Sequence, residues 1–297
     1  MHLLEKPARL MLQDILVVST GPGPTDTALA HALGLAREHG ARMHFAHTAW
    51  TGFDGNTKGS CALGSGAAEL KDSVTGQRFA GDNLRGILEQ NKFDLAVLNA
   101  AHTSGDAWPG EAARELLLVA HCPLLVLGPN IRPTEPLRSA PASVLHATDF
   151  SPQALAAAQH AFSWAQEYQA SLTMLHVIEG VQPRTDEERD ALAAPFRSWM
   201  NELVPDELPL WCEVEHRVIL GEVAPSIAAT ARETGADLIV IGLSGLESAA
   251  PILPGTNTVE VVRQAECPVL IAGDYMNRSV TDELPATARS CAVSVAA

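Results

Sequence analysis

One order of short apolar runs and helical segments occurs twice in this chain, and that repetition narrows its fold more than any other feature. Runs such as Leu238 to Ile241 and Val269 to Ala272 are rich in β-branched residues and too short for a globular helix, so they read as buried parallel strands. Aligning Leu16 with Leu145 matches a strand, a helix and a second strand without a gap. Leu29 then falls on Ala158, Ala36 on Ala165, Glu38 on Glu167, Ala41 on Ala170 and His47 on His176. Aligning Cys122-Pro123 with Cys267-Pro268 matches a later helix and strand, with Gly110 on Gly255 and Glu115 on Glu260; Asp94-Leu95 falls on Asp237-Leu238. This is an internal duplication. Strands alternating with helices predict, in each half, a parallel sheet covered by helices on both faces. Sheets of that kind take ligands at the carboxyl ends of their strands.

In the first half the pattern predicts strands over Gln13–Ser19, Arg42–Thr48, Leu95–Asn99 and Leu124–Leu127. Helices are expected over Thr25–His39, with Gly40 closing it, in a segment ending Arg85–Asn91, and over Gly110–Ala120. The stretch from 49 to 75 is irregular, with one helical turn near Gly66–Asp72. Residues 129–142 hold Pro129, Pro133, Pro136 and Pro141 and read as a linker. The second half predicts strands over Ser143–Thr148, Ser171–Ile178 and Val214–Ile219, and helices over Ser151–Gln169, Glu187–Leu203 and Ala224–Thr234. Pro195 is expected to interrupt or kink the middle helix. The expected organisation is a domain over 1–128, the linker, a domain over 143–275, and a disordered tail over 276–297.

With 297 residues, 46% apolar and 19% charged, each half can bury a core. A net charge of −15 argues against nucleic acid or an anionic membrane as partner. The five cysteines contain no CxxC pair, which fits a reducing compartment. The opening MHLLEKPARLML lacks the apolar core of a signal peptide, and no run is long enough to span a membrane. A cytoplasmic protein is expected.

The richest stretch is Asp237 to Ala272. A buried strand ends at Gly242, Gly245 follows, and Gly255-Thr256 opens a helix over Thr256–Ala265 with Thr256 as its N-cap. The spacing is Gly-x2-Gly-x9-Gly-Thr. Glycines let a backbone approach an anion, and a helix N-terminus offers unpaired N–H groups. The segment resembles the universal stress protein family, whose ATP-binding members carry Gly-x2-Gly-x9-Gly-Ser/Thr here. The resemblance covers nearly the whole of each half and implies an α/β fold of two tandem, open, parallel five-stranded sheets. The implied strand order is 3-2-1-4-5, as in adenine nucleotide alpha hydrolase-like folds, and the chain is similar to the two-domain type.

The resemblance also implies a site. Thr148-Asp149 ends the first strand of the second half, and relatives have an aspartate there near the nucleoside. The plain reading of the residues is that Asp149 or Ser151 caps the next helix. Val177 matches the position whose backbone meets adenine, although alone it reads as core. Gly242, Gly245, Gly255 and Thr256 complete the set, with Asn257 as an extra donor. The expected ligand is ATP, ADP or AMP, with Mg2+ as a companion ion. The loop 246–254 carries Glu247 and two prolines but no Lys or Arg, where relatives often have a base. In the first half Thr20, Thr48, Asn99, His102 and Glu111 replace Asp149, Val177, Gly242, Gly245 and Thr256, so that half reads as degenerate. The eleven histidines form no HxxxH or paired-carboxylate pattern, and no metal site or catalytic residue is assigned. The expected role is a nucleotide-gated regulatory or protective protein of the stress response, a homodimer with a further protein partner. Its rivals are a slow ATPase and a nucleotide-free interaction scaffold.

Overall fold

Parallel pairing organises both halves of the chain. The structure is a computed structural model describing residues 9–19, 27–47, 78–80, 84–100, 113, 116–117, 121–131, 140–243 and 256–273. Two compact units result, one from Met11 to Ala140 and the other holding residues 9–10, 141–243 and 256–273. The first unit contains β1 (Asp14–Ser19), β2 (Arg42–His47), β3 (Arg78–Ala80), β4 (Leu95–Asn99) and β5 (Leu124–Leu127). Their order is β3-β2-β1-β4-β5 and every pairing is parallel. The second unit contains β6 (Ser143–Ala147), β7 (Ser171–Ile178), β8 (Val214–Leu220), β9 (Leu238–Gly242) and β10 (Val269–Ala272). They run β8-β7-β6-β9-β10, again all parallel. Counted within each unit, both orders are 3-2-1-4-5. Strands β4, β5 and β10 are buried at every position, as a parallel sheet covered on both faces requires.

The units repeat individual hydrogen bonds. Asp94 Oδ2 accepts from the Gln13 and Asp14 amides at 2.7 and 2.9 Å, and Asp237 Oδ2 accepts from Ala142 and Ser143 at 2.7 and 3.2 Å. Each aspartate thus satisfies the amides where its unit's first strand begins. The Ala96 amide donates to Pro123 and that of Ile239 to Pro268, both at 3.0 Å. Cys122 and Cys267, just before those prolines, are buried, and burial pushes each thiol up to about 12. They are packing groups.

Helices α1 (Thr27–His39) and α2 (Leu84–Gln90) belong to the first unit; α3 (Pro152–Tyr168), α4 (Asp186–Leu203), α5 (Val223–Thr234) and α6 (Thr256–Gln264) belong to the second. Helix α3 starts where Ser151 Oγ accepts from the Ala154 amide, with Pro152 at its first turn. Its face of Ala154, Ala157, Ala158, Ala161 and Ala165 is buried, which lets the helix lie close on the sheet. Gly40 and Gly235 take φ of 64° and 61° at the ends of α1 and α5, as left-handed closures.

Two readings of the pattern change. Strand β3 gave no periodic signal in three residues, yet pairs with β2 through Phe45, Ala46 and His47. Helix α4 runs on through Pro195 instead of breaking. Ala191, whose carbonyl loses its donor there, and Pro195 are both exposed, so the cost falls on the solvent side. Of Gly110–Ala120, only Ala113, Leu116 and Leu117 are described; they are helical and buried. The segment near Gly66–Asp72 lies outside the described residues.

Candidate nucleotide site

The carboxyl ends of β6, β7 and β9 meet the first turns of α3, α5 and α6 around a recess of about 560 Å³, open to solvent. Parallel winding forces this arrangement, because every strand delivers its carboxyl end to the side where the next helix begins. The wall brings together Thr148, Asp149, Val177, Gly242 and Asn257, five of the residues expected from the sequence, although they span more than a hundred positions. Ser151, Ala154, Val223, Ile227, Thr258 and Val261 line it as well. Asp149 is the one charged side chain in this lining.

Thr148 and Asp149 each have a structural anchor. The Thr148 amide donates to the Leu175 carbonyl at 2.9 Å, holding the end of β6 against β7. Thr148 is buried, and its Oγ1 accepts from the Phe150 amide at 3.0 Å. Asp149 is exposed, and its Oδ1 accepts from the Ser151 amide at 2.9 Å. The cap of α3 is therefore Ser151, while Asp149 folds over the turn before it. His176 donates from Nδ1 to the Thr148 carbonyl at 2.8 Å, which fixes its tautomer because a carbonyl only accepts. Burial lowers the His176 pKa, so the ring is neutral packing.

Gly242 serves packing. A β-carbon there would meet the Ala154 nitrogen at 2.6 Å and the Gln153 carbonyl carbon at 2.7 Å. The glycine is thus needed for α3 to cross the end of β9, a reason its motif position alone does not reveal. Gly245 and Gly255 lie outside the described residues. Thr256 is the first residue of α6, Asn257 beside it is exposed, and Thr258 is buried. Sequence reasoning missed the apolar wall from α5. Val223 and Ile227 stand four apart at the start of that helix, but no glycine or acidic marker points to them.

In the first unit Asn99 stands at the Gly242 position. It is buried, and its Nδ2 donates to Thr27 Oγ1 at 3.4 Å. A side chain therefore fills the place where the second unit leaves none. Thr20, Thr48, His102 and Glu111 lie outside the described residues.

Residues 142–273 match the model of the universal stress protein family. The second unit is a universal stress protein domain. No curated protein sequence matches the chain. Among solved structures, a universal stress protein from Archaeoglobus fulgidus superposes with a TM-score of 0.60 at 16% identity, covering 90% of this chain and 99% of that one. A Pseudomonas aeruginosa protein of the same description gives 0.57 at 20% identity, covering 88% and 93%. At these identities the likeness speaks for the fold, and it spans both units. A universal stress protein solved in complex with cAMP is 25% identical, covers 45% of this chain and 97% of its own, and has a TM-score of 0.35. In the universal stress protein domain described here, the recess at the strand ends is where Asp149 and the first motif glycine meet.

Proposed function

We propose that the second unit binds an adenine nucleotide, ATP or ADP with Mg2+, in the recess at Asp149, and that the protein acts as a nucleotide-gated regulator or protector in the stress response. The convergence of Thr148, Asp149, Val177, Gly242 and Asn257 on one wall supports this reading most directly. The lining fits the parts of such a ligand. Val177, Val223, Ile227 and Val261 offer apolar surface to a flat base, and the exposed Asp149 carboxylate suits the hydroxyls of a ribose. Three helix N-termini face the recess and bring partial positive charge, which is where phosphates are held in the absence of a basic side chain in the lining.

Among the described lining residues Asp149 is the one carboxylate and has no base paired with it, a wall that favours holding a nucleotide over turning it over. The wider reading is of two domains, 1–128 and 143–275, joined by the proline-rich linker and acting in the cytoplasm as a homodimer, with the first domain supporting the second. Isothermal calorimetry with ADP and Mg2+ tests the site. The natural chain should bind, and Asp149→Asn should bind about 10- to 100-fold more weakly, the worth of a hydrogen bond to a charged group. Equal binding by both would move the nucleotide elsewhere.

A further inference from the structure

Phe150 has a backbone that its side chain does not explain. Its φ of 61° lies in the left-handed region, where a β-carbon crowds the next carbonyl and bulky residues are rare. The other non-glycine residue described there, Gln169, closes helix α3, a usual place for it. Phe150 sits instead between Asp149 and the helix cap Ser151, where the chain leaves β6. Backbone strain of this kind persists only where the surroundings over-determine it.

Those surroundings are aromatic. The Phe150 ring is 6% exposed, with its centroid 5.0 Å from His176, 6.0 Å from Phe196 and 5.6 Å from Trp199. Phe196 stacks on His176 at 4.2 Å and meets Trp199 edge-on at 5.3 Å. The rings come from β7, from the turn after β6 and from α4. His176 holds the turn twice, through the Phe150 ring and through its bond to the Thr148 carbonyl. The Phe150 amide also closes onto Thr148 Oγ1.

We propose that this four-ring cluster holds Phe150 in its left-handed conformation and thereby fixes the Asp149 carboxylate on the wall of the recess, which makes Phe150 a positioning residue of the site. The left-handed step turns the chain so that Asp149 reaches the Ser151 amide while Ser151 caps α3. An extended residue at 150 would carry Ser151 away from both bonds. The consequence for affinity rests on the recess being the nucleotide site; the placement of Asp149 does not.

Phe150→Gly and Phe150→Ala remove the same ring, but only glycine takes the left-handed backbone without strain. In nuclear magnetic resonance of the labelled full chain, acid titration of Asp149 should move the Ser151 amide proton through their hydrogen bond. That response should persist in Phe150→Gly and vanish in Phe150→Ala. Calorimetry with ADP and Mg2+ should show Phe150→Ala binding about tenfold more weakly than Phe150→Gly. Phe196→Leu, at a half-buried position on α4, loosens the cluster with Phe150 in place and should diminish both responses. Should Ala and Gly titrate alike and bind alike, the rings are packing only and the proposal falls. A natural chain that fails to bind ADP, while the Ser151 titration still separates Ala from Gly, overturns the nucleotide reading and leaves the positioning role intact. If Phe150→Ala does not fold, an unchanged Ser151 titration in Phe196→Leu overturns it.

Discussion

A carbon atom added at position 242 would lie 2.6 to 2.8 Å from backbone atoms of Gln153 and Ala154. Backbone in a capped first turn cannot swing aside as the tip of a long side chain can. Gly242→Ala should therefore lower the stability of the second unit by about 2–3 kcal/mol, the usual cost of overpacking, before any effect on a ligand is counted. Urea unfolding would show it as an earlier midpoint; an unchanged midpoint would mean that α3 slides without cost. This makes Gly242 a poor probe of phosphate contact. Asp149 is the better one, since it is exposed and its substitution opens no cavity.

The elements carry a second stability term in histidines held out of water. His31 on α1 is buried and His160, at the matched position on α3, is half-buried, and desolvation lowers each to about 4. On β6, His146 is fully buried, bonds the Val240 carbonyl through Nδ1 at 3.1 Å, and is likewise lowered to about 4 by burial. An unfolded histidine titrates near 6.5. Between about pH 6.5 and 4 the unfolded chain thus binds more protons than the folded one, and stability falls as pH falls through that window. Above it the contribution is fully present. Each such histidine should contribute a slope of up to about 1.4 kcal/mol per pH unit. Unfolding at pH 7 and pH 5 should reveal the loss. His146→Asn, which keeps a side-chain donor but no titrating group, should flatten the curve for the second unit. An identical pH dependence in that variant would show that His146 is protonated in place at little cost.

For the whole molecule the two units present the same strand order with different residues at one strand end. The second leaves Gly242 bare, with Asp149 beside it in the recess, whereas the first fills the matching place with the buried Asn99. The sequence adds Glu111 where Thr256 opens α6, a carboxylate at the position where a phosphate would bind. A net charge of −15 offers no compensating attraction for an anionic ligand. One nucleotide per chain is therefore expected. Native mass spectrometry with ADP and Mg2+ reads that number directly, and two per chain would show that the first unit retains a working site.

The apolar runs at Leu124–Leu127, Leu238–Gly242 and Val269–Ala272 announced buried parallel strands, because a strand covered on both faces is apolar at every position. The duplication was equally plain, since both copies keep the Asp-Leu and Cys-Pro pairs that anchor the strand starts. Asp149, Val177 and Asn257 were named because they match positions of the universal stress protein pattern, and they meet in one recess because a parallel sheet gathers its strand ends on one side. The residues themselves did not reveal strand β3, which is three residues long and owes its conformation to β2. Nor did they reveal the unbroken α4, where exposure to water makes Pro195 tolerable. The packing duty of Gly242 and the left-handed Phe150 belong to the tertiary structure alone. Both depend on atoms brought together from distant segments, the first turn of α3 in one case and rings from β7 and α4 in the other, and local sequence carries no record of such contacts.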